Sequence, residues 1–145
     1  MKNILLVDDE MIFLKSLAEG LRMLNKDYNI VIAKDGGHAI RIMKSIRIDL
    51  LLTDLKMPVM DGFDLLIEVL NKYPDLPVIV TSSISSESVI NKINAMGFNH
   101  FIEKPFEFDD LTDTISLLLP ASANSSNYLA DIFNNSEPRP QTIQV

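Results

Sequence analysis

Five short apolar runs recur along this chain, and each gives way to a stretch in which apolar residues return every three or four positions. The runs centre on Ile4–Val7, Asn29–Ala33, Asp49–Thr53, Leu76–Thr81 and Asn99–Ile102. Continuous apolar runs of this length, rich in Ile, Val and Leu, predict strands buried on both faces. Met11, Phe13, Leu14, Leu17, Ala18, Leu21 and Leu24 follow the first run at helical spacing and predict an amphipathic helix over residues 11–25. Ala39, Ile40, Met43 and Ile46 predict a second helix, and Phe63, Leu65, Leu66, Val69 and Leu70 a third that stops near Tyr73-Pro74. Val89, Ile90, Ile93 and Met96 predict a fourth, closed by Gly97 as a C-terminal cap. Phe108, Leu111, Ile115, Leu118 and Leu119 predict a fifth, with Asp109 and Asp110 in the first turn, where acids suit the helix dipole, and Pro120 at its end. Asp35-Gly36-Gly37 reads as a loop after the second strand, and Ser82–Ser86 as a polar loop after the fourth. Pro77 suits the first position of its strand, where no ladder donor is needed.

Strand and helix alternate five times, which predicts a parallel sheet with right-handed crossovers and helices on both faces. For one domain of this length the expected architecture is α/β: a flavodoxin-like, doubly wound (βα)5 fold with strand order 2-1-3-4-5 over residues 1–120. Beyond Pro120 the pattern stops. Ala121–Asn127 is small and polar, Tyr128–Phe133 is a lone apolar island, and the rest carries Pro138 and Pro140. Residues 121–145 are expected to form a low-complexity tail, either disordered or with the island docked as one short helix.

Charge and composition exclude several classes. The formal net charge is −7, which argues against a footprint on a phosphate backbone and hence against direct nucleic-acid binding. There is no cysteine, so disulfides, thiolate metal sites and cysteine nucleophiles are out, and a reducing compartment is suited. The apolar part of Met1–Val7 is too short for a signal peptide and meets Asp8-Asp9-Glu10 at once. No run reaches the length of a membrane span. The expectation is a cytoplasmic protein without a membrane partner.

Candidate chemistry gathers at the predicted strand ends. Asp54 follows the third run, and open α/β sheets bind ligands outside the carboxyl ends of their strands. Alone, Asp54 reads equally well as a turn residue or helix cap. Pro58 forbids an immediate helix by disfavouring the α region at Met57, and Asp61-Gly62 closes a turn in which Asp61 can cap the third helix. On the predicted sheet, Asp8 and Asp9 end the first strand, Thr81 the fourth and Lys104 the fifth, so that all face one crevice with Asp54. Three clustered carboxylates need a counter-charge. Mg²⁺ supplies one, since it prefers oxygen ligands and is often held by one or two carboxylates with water and phosphate. Lys104 supplies another. The set suits phosphoryl transfer onto a carboxylate, with Asp54 as nucleophile, the metal and Lys104 neutralising the phosphoryl oxygens, and the Thr81 hydroxyl donating to one of them.

Asp8-Asp9, Asp54, Met57-Pro58, Met60-Asp61-Gly62, Thr81, Phe101 and Lys104-Pro105-Phe106, in this order and spacing, resemble the receiver domain of two-component response regulators over roughly residues 2 to 119. The resemblance implies that Asp54 accepts a phosphoryl group from a phosphohistidine on a sensor histidine kinase or histidine phosphotransfer protein. It implies direct Mg²⁺ ligation by Asp9, Asp54 and the main-chain carbonyl of Lys56, with Asp8 acting mostly through water. It makes Thr81 and Phe101 a switch pair that alters the face of the fourth helix, fifth strand and fifth helix for a downstream protein target. It marks Lys56 and Ser83 as neighbours of the phosphoryl group that set its lifetime. The chain departs from the family pattern in having Phe101 where Tyr is common, Lys56 two residues after Asp54, and Phe98 where a small residue is usual after Gly97.

The expected function is that of a stand-alone receiver, a switch rather than an enzyme, acting as an effector-binding regulator or as a phosphorelay intermediate. Two other readings stand beside it. One is a small-molecule phosphatase with an aspartyl nucleophile, which typically needs an Asp-x-Asp pair that Asp54-Leu55-Lys56 lacks. The other is a receiver fold used as a constitutive scaffold. His38 and His100 have no partner at metal spacing and read as structural.

Overall fold

A computed structural model of the chain describes residues 1–56, 62–83 and 86–120. Strands and helices alternate as β1 (Lys2–Val7), α1 (Met11–Leu24), β2 (Tyr28–Ala33), α2 (Gly36–Ser45), β3 (Leu50–Asp54), α3 (Gly62–Lys72), β4 (Val78–Ser82), α4 (Glu87–Ala95), β5 (Phe101–Glu103) and α5 (Phe108–Leu118). The strands form one sheet of order β2-β1-β3-β4-β5, and every neighbouring pair is parallel. This is the expected doubly wound order, with β3 at the centre between β1 and β4.

Side chains alternate across each strand, and the two apolar layers follow from that alternation. Leu5, Val7, Leu51, Val78 and Val80 pack with Ala39 and Met43 of α2, Leu65, Leu66 and Val69 of α3, and Ile93 of α4. Ile4, Leu6, Leu50, Leu52 and Ile79 pack with Leu14, Leu17, Ala18 and Leu21 of α1 and with Leu111 and Ile115 of α5. Every residue of β3 and β4 is buried. That explains why these strands read as continuous apolar runs rather than as alternating ones.

The boundaries shift where side chains compete for backbone groups. Gly36 and Gly37 are not a loop. They form the first turn of α2, because the Asp35 carboxylate accepts from the His38 backbone N–H at 2.8 Å and caps the helix. The His38 ring reciprocates, its Nδ1 accepting from the Lys34 N–H at 3.3 Å, which gives this histidine the structural role expected of it. Asp49 lies just outside β3: its carboxylate accepts from the Asn3 N–H and its own N–H donates to the Asn3 carbonyl, both at 2.8 Å. Asp54 is the last residue of β3 rather than the first beyond it. Pro77 precedes β4, where its carbonyl accepts from the Leu51 N–H at 3.0 Å. β5 begins at Phe101, two residues later than the apolar run suggests.

Helix α4 ends as its sequence predicts. Gly97 has φ +98°, the Phe98 N–H donates to the Ile93 carbonyl and the Gly97 N–H to the Asn94 carbonyl, the paired bonds of a Schellman cap. Phe98, the bulky departure after that glycine, is buried in the same apolar layer as Ile93 and so completes the cap's hydrophobic contact. A Cβ on Gly97 meets nothing within 4 Å, so Gly97→Ala should cost only the backbone term of a positive φ, about 1–2 kcal/mol by chemical denaturation. The expectations for Pro58 and Asp61, for the middle of the Ser82–Ser86 loop and for residues 121–145 lie outside the described residues.

Candidate functional site

The carboxyl ends of β1, β3, β4 and β5 lie side by side, and their last residues carry the chemistry. Val7 pairs with Thr53 and Asp54 with Thr81, so Asp8, Asp54 and Thr81 occupy neighbouring positions across three strands. Asp8 and Asp54 are buried, whereas Asp9 faces solvent. One carboxylate oxygen each of Asp8, Asp9 and Asp54 lies within 4.8 Å of the others. Lys104, one residue past β5, extends into this group. Its Nζ lies 2.6 Å from Asp8 Oδ2, 3.7 Å from Asp54 Oδ2 and 3.9 Å from Glu10 Oε1. The Lys104-Pro105 peptide bond is cis.

Asp8 serves two structural purposes at once. Its Oδ1 accepts from the Glu10 N–H at 3.0 Å, just ahead of α1, while Oδ2 takes the Lys104 ammonium. One oxygen thus holds the entry to α1 while the other holds the ammonium.

Electrostatics follow from burial and crowding. Burial pushes the Asp54 carboxyl above its usual range, and the negative charge of Asp8 adds to this. Lys104 and the backbone N–H groups of Lys56 and Leu55 pull the other way without winning. For Lys104, burial disfavours the ammonium, but the hydrogen bond to Asp8 and the charges of Asp54, Asp8 and Glu10 outweigh it and hold the pKa above the ordinary lysine value. One lysine does not neutralise three carboxylates. Three converging oxygen donors with excess negative charge are the ligand set that a small hard divalent cation takes, and the residues present fit Mg²⁺.

A cavity of about 580 Å³ opens above these groups. Asp9, Asp54, Lys104, Lys56, Ser83, Phe13 and Phe106 are among the residues that line it. A cavity of similar size, about 530 Å³, sits at the opposite edge of the sheet, lined by the segments leading into β3 and β4, and includes none of these acids.

The structure thus brings together Asp8, Asp9, Asp54 and Lys104, with Lys56 and Ser83 lining the same cavity as Asp9, Asp54 and Lys104. Thr81 is adjacent in register but does not line the cavity: its hydroxyl donates to the Thr53 carbonyl at 3.5 Å, so reaching a group on Asp54 requires a side-chain rotation. Phe101 is half-buried on β5, packed against the apolar layer of α2, α3 and α4 and lining a groove with Glu103, Phe106 and Asp110. Sequence reasoning missed Glu10, Phe13 and Phe106 as site neighbours. Phe13 reads as one more member of the α1 apolar stripe, and no periodicity separates a wall residue from a core residue.

The family model for the response regulator receiver domain matches residues 4–116. The chain belongs to this family. Among similar proteins, the transcriptional regulatory protein GlrR of Escherichia coli is 33% identical over 125 residues, covering 86% of this chain and 28% of GlrR. The response regulator RR06 of Streptococcus pneumoniae is 32% identical over 117 residues, covering 81% of this chain and 52% of that protein. The chain therefore spans between about a quarter and a half of the length of these curated relatives. Among solved receivers, TrrA of Thermotoga maritima in complex with Mg(2+)-BeF is 28% identical with a TM-score of 0.72, covering 82% of this chain and 100% of that one. The non-phosphorylated HemR receiver domain of Leptospira biflexa is 25% identical with a TM-score of 0.76, covering 84% and 97%. Receivers of this family are signalling modules phosphorylated by histidine kinases or phosphotransfer proteins. No helix among the described residues is long and apolar enough to cross a membrane.

Proposed function

We propose that this receiver works as a cytoplasmic switch that takes a phosphoryl group on Asp54 and passes the signal by protein contact. The observation that carries the reading is the placement of the Lys104 ammonium between Asp8 and Asp54, in the cavity that Asp54 and Lys104 both line. An Asp54 carboxylate oxygen attacks the phosphorus of a phosphohistidine. The new P–O bond forms as the N–P bond breaks, and the electron pair leaves with the imidazole nitrogen. Bound Mg²⁺ supplies positive charge to the phosphoryl oxygens. Asp9, Asp54 and the Lys56 carbonyl would hold it. Asp8, with both oxygens already engaged, would act mostly through water. That the similar receiver TrrA is known in complex with Mg(2+)-BeF supports a Mg²⁺ site in this receiver.

Lys104 stabilises charge on the transferred group, since its Nζ needs to move little to leave Asp8 for an oxygen carried by Asp54. The Thr81 hydroxyl exchanges the Thr53 carbonyl for a phosphoryl oxygen, and Phe101 moves inward, altering the α4, β5 and α5 face. Phosphorylation biases that two-state element by binding one state better.

The deciding experiment is intact-mass analysis after incubation with a small phosphodonor, with and without Mg²⁺, beside Asp54→Asn. One added phosphoryl group, dependent on Mg²⁺ and absent from the variant, is the expected result. A folded protein that takes none in any condition overturns the reading, and sustained turnover of a phosphomonoester would replace the switch with a hydrolase. Two lining residues set a further expectation. Lys56 and Ser83 line the cavity through which water would reach the phosphoryl group. Lys56→Ala, which clears that approach, should shorten the life of the phosphorylated species several-fold while leaving its yield at saturating donor intact. A decay time course settles it.

A further inference from the structure

The Lys104 ammonium has one neighbour that no charge accounting includes. Its Nζ lies 5.0 Å from the centroid of the Phe13 ring, within cation–π range. Phe13 sits in the first turn of α1 and is half-buried. It meets Phe106 edge-on, with centroids 6.0 Å apart and planes at 77°. Because Phe106 follows Lys104 by two residues, the pair ties the Lys104 segment to α1. The arrangement puts buried acids on one side of the ammonium, Asp8 and Asp54 with side chains only 3% and 7% exposed. On the outer side, Glu10 competes for it at 3.9 Å, with a side chain 69% exposed.

We propose that Phe13 is a positioning residue: its ring holds the Lys104 ammonium against Asp8 and Asp54 and away from Glu10 and bulk water. This rests on the phosphoacceptor role of Asp54 given above. A long lysine side chain has many rotamers, and only those with Nζ between Asp8 and Asp54 serve phosphoryl transfer. The observed rate scales with the population of those rotamers. The ring deepens that inner well, because a partly desolvated ammonium gains from an aromatic face what an aliphatic side chain of similar size does not offer. Glu10 defines the outer well. Removing the ring should therefore shift Lys104 outward only while Glu10 is there to receive it.

The test compares wild type with Phe13→Leu, Phe13→Tyr, Glu10→Gln and the Phe13→Leu/Glu10→Gln double variant, using phosphoramidate as donor at saturating Mg²⁺. Phosphorylation should slow on the order of three- to tenfold in Phe13→Leu. It should stay within about twofold of wild type in Phe13→Tyr, which keeps the ring face. Adding Glu10→Gln to Phe13→Leu should recover most of the loss, which a purely structural role for Phe13 would not permit. A second readout needs no metal or donor. In NMR spectra of the metal-free protein, the Lys104 ε-methylene protons should be shifted upfield by the ring current in wild type and Phe13→Tyr, and return to the ordinary lysine position in Phe13→Leu. Ordinary Lys104 shifts in the wild type overturn the proposal even if Phe13→Leu does not fold. A Phe13→Leu rate equal to wild type overturns it, and so does a slow Phe13→Leu that Glu10→Gln fails to rescue. If wild type takes no phosphoryl group at all, the receiver reading fails instead, and the NMR signal still decides whether the ring holds the ammonium.

Discussion

Gly62→Ala should be the most damaging single-methyl change in this protein, costing at least about 3 kcal/mol and slowing phosphorylation as well. A Cβ at Gly62 would overlap the Leu55 Cα and lie 2.5 Å from the Asp54 carbonyl oxygen and 2.9 Å from that of Leu55. All three atoms are backbone, so no rotamer change relieves the overlap. That backbone is also held from two sides. The Gly62 N–H donates to the Leu55 carbonyl at 2.8 Å, and the Leu55 N–H donates to the Thr81 carbonyl at 3.1 Å. Relief must come from shifting the Asp54-Leu55 segment or from moving α3 out of the apolar layer where Leu65, Leu66 and Val69 are buried. Urea denaturation beside Gly97→Ala is the measurement. Both variants add one methyl group to a glycine, but only the first meets atoms. Equal losses in the two, with an unchanged phosphorylation rate for Gly62→Ala, would show that the α3 entry is loose.

Asp54→Asn should abolish phosphoryl uptake and at the same time stabilise the fold. The Asp54 carboxyl has a folded-state pKa above its unfolded value, chiefly through burial and then through the charge of Asp8. A group shifted in this sense favours the folded state fully below the unfolded pKa, and that contribution is lost as pH rises through the folded pKa. At neutral pH the ionised side chain is therefore a liability. An amide of the same shape removes the charge and should raise the denaturation midpoint. The gain should shrink as the solution is acidified into the carboxylate range, where wild-type Asp54 is itself protonated. It should also shrink when Mg²⁺ is added, because wild type gains more from the cation than a variant lacking one ligand does. Denaturation midpoints across pH, with and without Mg²⁺, test all three statements. A variant less stable than wild type at neutral pH without Mg²⁺ would mean that Lys104 compensates Asp54 fully.

The difference between these two effects shows how much of the site was legible in the residue string. Asp54 could be placed at a strand end from sequence because strand chemistry is local: four of the five apolar runs lead to Asp8-Asp9, Asp54, Thr81 and Lys104, and a parallel sheet places strand ends together. Gly62 reads in the string as half of an Asp-Gly turn and as part of the Met60-Asp61-Gly62 motif, neither of which says what its missing side chain makes room for. Its intolerance of a methyl group comes from the Asp54-Leu55 backbone, and no residue type announces such an approach.

The sequence by itself determined the element order, the sheet topology and the identity of the acids and the lysine. Continuous apolar runs are what burial on both faces demands, and crossover handedness leaves few ways to arrange five such units. Only the tertiary structure decided which of these groups touch. Lys104 and Asp8 are 96 residues apart and meet at 2.6 Å. Thr81 sits beside Asp54 yet spends its hydroxyl on the Thr53 carbonyl. Phe13, one of several apolar residues on the same helical stripe, is the one whose ring faces an ammonium. The physical reason is range. Hydrophobic periodicity is set within a few residues of chain, whereas the position of an ammonium among three carboxylates depends on how separate crossovers bring distant strand ends within a few ångströms.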